Sequence, residues 1–131
     1  MILNKTGIST MRNITFILLL CGINVSIYAS QLGKTTYEMA CQNCHSPKLA
    51  IGMKAPAAFD KAAWDARFAN AALEAKNNPT KYKSAMDYLL YSVKIGKGLM
   101  HHGGLCHEAN MPNKDCSDEA LMDAIDYMRK P

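Results

Sequence analysis

Five residues carry the most specific chemistry in this chain: Cys41-Gln42-Asn43-Cys44-His45. Cysteines three positions apart on a helical turn present both sulfurs on one side, and the histidine that follows brings an imidazole beside them. This C-x-x-C-H pattern is the attachment signature of c-type haem. The thiols reach two vinyl groups on one porphyrin edge, and the imidazole is offered to the iron. Two other uses of the pair fit its surroundings less well. A redox dithiol wants a β-α-β setting, and no strand pattern flanks these residues. A zinc site wants a second close-spaced pair, whereas Cys106 and Cys116 stand ten apart.

The chain has 131 residues, 49% hydrophobic and 20% charged, with five cysteines, nine methionines and a formal net charge of +4. That length suits one globular domain and excludes a TIM barrel. Residues 1–30 contain Lys5 and Arg12, no acidic residue, and a nearly unbroken apolar stretch from Ile14 to Ala29. A positive start before a short apolar core predicts a secretory signal peptide over 1–30, cleaved near Ala29 and Ser30. Met11-Arg12-Asn13 offers the more ordinary start for such a leader. An uncleaved anchor is the alternative, although sixteen apolar residues fall short of the ~20 that a bilayer core needs. Lipid attachment at Cys21 is disfavoured by the bulky Leu20 before it.

Without the leader 101 residues remain, 31–131, and loss of Lys5 and Arg12 lowers the net charge from +4 to +2. So near-neutral a domain implies no nucleic-acid partner. Cys21 leaves with the leader. Cys41, Cys44, Cys106 and Cys116 stay in an oxidising, periplasmic compartment, where each thiol is expected to have a covalent fate.

Helices must position these groups, and four are predicted. The first spans Gly33 to about Asn43, with Tyr37 and Cys41 one turn apart on one face. Asp60 caps a second, Lys61 to about Ala75, carrying Trp64, Phe68 and Leu73. Asn77-Asn78-Pro79 breaks it, Thr80 caps a third, and Gly96 ends that one after Ile95. Ser117 caps the last, with Asp118 and Glu119 in its first turn against the helix dipole. There Leu121, Ala124, Ile125 and Met128 fall at i, i+3, i+4 and i+7, a buried stripe. Gly96 to Asp115 shows no periodicity, and the chain shows no repeat and no strand run. The expected fold is all-α, about four helices. A hundred residues of short helices bury little by themselves, so a covalently held haem serves as their centre.

These residues resemble a class I c-type cytochrome, most closely the cytochrome c5 family, from Gly33 to Met128. Gly33 stands eight residues before Cys41, where the class keeps a glycine so that first and last helices cross closely. Tyr127, in Ala124-Ile125-Asp126-Tyr127-Met128, resembles the aromatic partner at that crossing. Ala55-Pro56 followed by Asp60-Lys61-Ala62-Ala63-Trp64 and Arg67 is similar to the family's middle segment. Cys106 and Cys116-Ser117-Asp118-Glu119 resemble its extra cysteine pair before the last helix. The resemblance implies one covalently attached haem c with its iron, electron transfer between respiratory-chain partners rather than catalysis, and no small-molecule substrate. It further implies a disulfide between Cys106 and Cys116, which would stabilise by about 2–4 kcal/mol.

The sixth iron ligand is then expected from the loop before the last helix. Methionine sulfur there raises the potential and blocks other ligands. Met100 and Met111 both qualify by position. Met111 has the proline that usually follows the ligand, Pro112; Met100 keeps the family's spacing from Asp87-Tyr88-Leu89-Leu90 and Gly96, and to Cys106. An insertion between the two cysteines would carry Met111 with it, so spacing favours Met100. His101, His102 and His107 are solvated loop histidines or, alternatively, an axial ligand that lowers the potential. By resemblance Pro56 receives the His45 N–H, while Trp64 and Arg67 stand at the haem edge within reach of a propionate. An ordinary core indole and a solvated cation are the alternatives for those two. Lys48, Lys54, Lys94 and Lys97 flank the expected haem edge, where they would steer an acidic redox partner. Two function classes remain open: a soluble single-electron carrier, or a small haem enzyme or sensor with a displaceable sixth ligand.

Overall fold

The computed structural model of the chain describes residues 24–131. These residues form six α-helices and, among themselves, no strand. They are α1 (Asn24–Ala40), α2 (Gln42–His45), α3 (Ala50–Met53), α4 (Lys61–Asn77), α5 (Ala85–Ile95) and α6 (Asp118–Arg129). Four are long, as expected; α2 is a single turn that carries Cys44 and His45, and α3 is a single turn after it. Most of the expected leader, residues 1–23, lies outside the described residues. The first helix starts at Asn24 rather than Gly33, passing through Ala29 and Ser30. No helix among the described residues is long and apolar enough to cross a membrane.

Local chemistry sets most boundaries. The Asp60 carboxylate accepts the Ala63 N–H at 3.0 Å and caps α4. Ser117 Oγ accepts the Ala120 N–H at 3.2 Å and caps α6. Gly96, at φ 68°, closes α5 in the left-handed conformation. One expectation is corrected: Ser84, not Thr80, caps α5. Ser84 Oγ accepts the Asp87 N–H at 3.1 Å while the Asp87 carboxylate accepts the Lys83 N–H at 2.9 Å. This reciprocal pair satisfies two free donors, where Thr80 alone would satisfy one. Thr80 instead lies in the turn after α4, whose Asn78 carbonyl takes the Lys81 and Tyr82 N–H groups.

Helix α1 packs on α6, and α4 on α5. The α6 stripe of Leu121, Ala124, Ile125 and Met128 is buried as its spacing predicts. The core joins Tyr37, Ala58, Trp64, Ala124, Ile125 and Met128, with Phe68, Met86, Leu89 and Val93 against it. Gly33 is where α1 meets α6. A Cβ added there would stand 2.4 Å from the Asp123 carbonyl oxygen and 3.2 Å from Tyr127 Cβ. Only glycine admits that approach. Beside it Tyr37, Tyr127 and Phe59 form a three-ring cluster, with centroids 5.4–5.9 Å apart. Phe59 also donates its N–H to the Met128 carbonyl at 2.7 Å, tying the segment before α4 to the end of α6.

Candidate functional site: a haem-attachment turn and its ligand loop

Helix α1 ends where the chemistry begins. Cys41 donates its N–H to the Tyr37 carbonyl, closing the helix, and its own carbonyl accepts the Cys44 and His45 N–H groups at 3.1 and 3.0 Å. One tight turn therefore carries Cys41, Cys44 and His45, and both cysteines are free thiols. Burial, with the Cys44 thiol adding to it, pushes the Cys41 thiol up to about 12.

The His45 ring is held on two sides. Its Nδ1 lies 2.9 Å from the Pro56 carbonyl oxygen. A carbonyl only accepts, so Nδ1 carries the proton and Nε2 keeps its lone pair. Burial lowers the His45 pKa below its ordinary value; the Pro56 bond opposes this, and the Arg67 charge adds to it. The ring is thus a neutral donor, the form a metal ligand requires. Trp64 lies beside it, with centroids 5.8 Å apart and planes 33° apart. The indole N–H goes to the Ala57 carbonyl at 2.9 Å, and Ala58 returns its N–H to the His45 carbonyl. Three consecutive residues, Pro56 to Ala58, thereby fix His45 and Trp64 together.

Trp64 is 4% exposed with its only donor spent on Ala57. It acts as a wall for the His45 ring and has no N–H left for a propionate. Arg67 is exposed and lines, with Lys54, Pro56 and Asn70, an open cavity of about 430 Å³. That placement beside Pro56 suits an anionic group.

The loop of Met100 is stitched to the attachment turn by backbone. Gly103 donates to the Val93 carbonyl and Leu105 to the Ala40 carbonyl, each at 2.9 Å. Gly104, at φ 63°, lies so close that a Cβ would be 2.6 Å from that same Ala40 oxygen. Cys106, fully buried, forms a disulfide with Cys116, with Cα atoms 5.8 Å apart. The loop is therefore fixed both to the residue before Cys41 and to the start of α6. Met111 is elsewhere: 48% exposed, it borders a groove of about 500 Å³ with Leu32, Thr35 and Met39 of α1. His101, His102 and His107 are exposed, and His101 Nδ1 pairs with Glu108 at 2.9 Å. Of the four lysines, Lys94 bonds Asp118 at 2.7 Å and Lys97 bonds the Tyr88 hydroxyl, while Lys48 and Lys54 are exposed.

The donor set fits haem c. Two thiols on one turn, a neutral histidine with Nε2 free, and a methionine on a tied loop are what a covalent porphyrin and its iron need. Zinc finds no support: among the described residues no three His, Cys, Asp or Glu side chains gather as a metal site. Sequence reasoning missed the Ala57 and Ala40 carbonyls and the pairing of Tyr88 with Lys97. The adjacent glycines 103 and 104 are the one signal that a close backbone approach lay in this loop.

No curated protein and no solved structure matches the chain. A family model does, that of cytochrome c oxidase, cbb3-type, subunit III, over residues 29–128. That span starts at the expected leader boundary and takes in the attachment turn, the Met100 loop and α6. The chain belongs to this family, and is a class I c-type cytochrome domain that binds haem c and transfers electrons.

Proposed function

We propose that this chain is a periplasmic single-electron carrier of the cytochrome c5 type. It holds one haem on Cys41 and Cys44, with His45 and Met100 as axial ligands. The observation that carries this reading is the tethering of the Met100 loop to Ala40 and, through the Cys106–Cys116 disulfide, to α6. A tethered methionine and a held imidazole would together close both faces of a bound haem iron, which suits electron transfer rather than substrate chemistry.

Bound haem supplies a reversible ferrous/ferric couple, and the protein's residues do the rest. The thiols of Cys41 and Cys44 anchor the ring covalently. Pro56 fixes the His45 tautomer and strengthens its donor nitrogen. Trp64 holds the imidazole plane and excludes water from that side. Arg67 and Lys54 stand where they can offset a propionate's charge. Lys48 and Lys54, on either side of α3, favour respiratory partners with an acidic docking face. The exposure of Met111, on a groove against α1, supports Met100 as ligand.

Met100→Ala and Met111→Ala, each made separately, test the assignment. Met100→Ala loses the methionine–iron charge-transfer band and lowers the potential, and Met111→Ala keeps both. The opposite result overturns the ligand, and rapid cyanide or CO binding by the wild type overturns the carrier. The family's description favours a second reading, an electron-relaying haem subunit of a terminal oxidase. Co-purification of the tagged chain with oxidase subunits would establish it.

A further inference from the structure

The turn from Gly96 to Met100 joins the end of α5 to the proposed axial methionine. Gly96 and Gly98 both have positive φ, 68° and 73°, so residues of high backbone freedom flank Lys97. Lys97 itself is fixed: its N–H donates to the Ser92 carbonyl at 3.0 Å. Beyond it the restraint is slight. A Cβ on Gly98 would meet nothing within 4 Å, and Leu99 is 69% exposed. The Met100 N–H reaches the Lys97 carbonyl only at 3.4 Å. Lys97 is the last firm point before Met100.

An exposed lysine ordinarily keeps its long side chain free, at considerable rotamer entropy. Lys97 does not. Its Nζ donates to the Tyr88 hydroxyl and stands 4.9 Å from the centroid of the same ring. Two contacts with one ring hold the side chain in one arrangement. Tyr88 is held in turn, its ring edge-to-face with Tyr82 at 5.1 Å and 88°. Tyr82 is buried and also packs on Tyr91 at 5.3 Å. A line of contacts runs from a buried ring, through Tyr88 and Lys97, to the turn that bears Met100.

We propose that Tyr88 is a positioning residue for Met100, a role that rests on Met100 being the axial ligand. Acting through Lys97, it sets how often the Gly96–Met100 turn opens and how readily the methionine yields its place on the iron. Exposed contacts of this kind add little to global stability. The same small free energy is a much larger fraction of a local opening, which needs far less energy than unfolding.

Imidazole added to the ferric holoprotein is the probe, since it binds the iron only when the methionine has left. Tyr88→Phe and Lys97→Met should each raise the imidazole affinity about three- to tenfold, the worth of one hydrogen bond. The double variant should show no more than either single one, and Lys97→Arg should restore the wild-type value. The urea midpoint should fall by no more than that same hydrogen bond accounts for. Unchanged imidazole affinity in Tyr88→Phe, additive effects in the double variant, or a loss of global stability larger than the gain in imidazole affinity would overturn the proposal. Met100→Ala separates the two readings. If it keeps the native charge-transfer band, the ligand reading has failed; if it loses the band while Tyr88→Phe behaves as wild type, only the role of Tyr88 has.

Discussion

His45 and Trp64 hang from consecutive carbonyls: the His45 Nδ1–H is given to Pro56 and the Trp64 Nε1–H to Ala57, with ring centroids 5.8 Å apart. The proposed ligand and the wall behind it are thus set by one short stretch of backbone. A shift in that stretch moves both rings at once.

Trp64→Phe keeps an aromatic wall but removes one of the two donors to the Ala57 carbonyl, which retains the Asp60 N–H at 3.2 Å. Stability should fall by about 0.5–1.5 kcal/mol, the net worth of one hydrogen bond. Guanidinium unfolding of the holoprotein measures it. The His45–iron bond should survive, so the Soret maximum should stay in place. An undiminished unfolding midpoint would show that the indole N–H contributes nothing.

Because burial is the largest cause holding the His45 pKa below its ordinary 6.5, the folded chain favours the neutral ring. Below pH 6.5 the unfolded chain takes up the proton first, so stability rises with pH through that window. The contribution is complete above 6.5 and is lost as pH falls towards the folded-state value. Competition between proton and iron for Nε2 acts in the same direction. Urea midpoints should therefore climb between about pH 5 and pH 7. A flat profile contradicts the burial argument.

Gly33→Ala forces a Cβ to within 2.4 Å of the Asp123 oxygen, in backbone that has no flexible end to move aside. The helix crossing must open, with a loss of about 1–3 kcal/mol or more. A thermal melt of the variant reads this directly. Gly52→Ala is the control: a Cβ there meets nothing within 4 Å, and its melt should match the wild type closely.

Replacing Cys106 and Cys116 together by alanine frees the loop between Leu105 and α6. With the paired positions ten apart in sequence, the chain-entropy argument gives a loss of about 3 kcal/mol. Imidazole affinity of the ferric protein should rise in the same variant, since the loop loses one of its tethers. Unchanged imidazole affinity would show that the Leu105–Ala40 bond is sufficient by itself.

Local chemistry made much of this fold legible. Asp60, Ser117 and Gly96 end or begin helices by interactions within a few residues, and the α6 stripe follows from helical period alone. The attachment turn was legible because its residue types and spacing admit few other uses. The role of Gly33 was readable only through resemblance, since its Asp123 contact lies nearly a whole chain away. The Trp64 partner and the Leu105 anchor were not legible at all. Both use the carbonyls of alanines, Ala57 and Ala40, and any residue carries a carbonyl. The α5 start is ambiguous in sequence because Thr80 and Ser84 are both good caps; Asp87, three residues after Ser84, decides between them.

The approach of α1 to α6 at Gly33 divides the molecule by how easily its parts come apart. It joins the two ends of the described chain, so these helices cannot separate without opening most of the core. The stretch from Gly96 to Cys116 has its own close approach only at Gly104, against Ala40, and otherwise hangs on a few backbone bonds and one disulfide. Amide exchange should be slowest in α1 and α6 and fastest in that stretch. With Met100 as the proposed ligand, such local openings would expose its side of a bound haem while the turn of Cys41 to His45 stays shut.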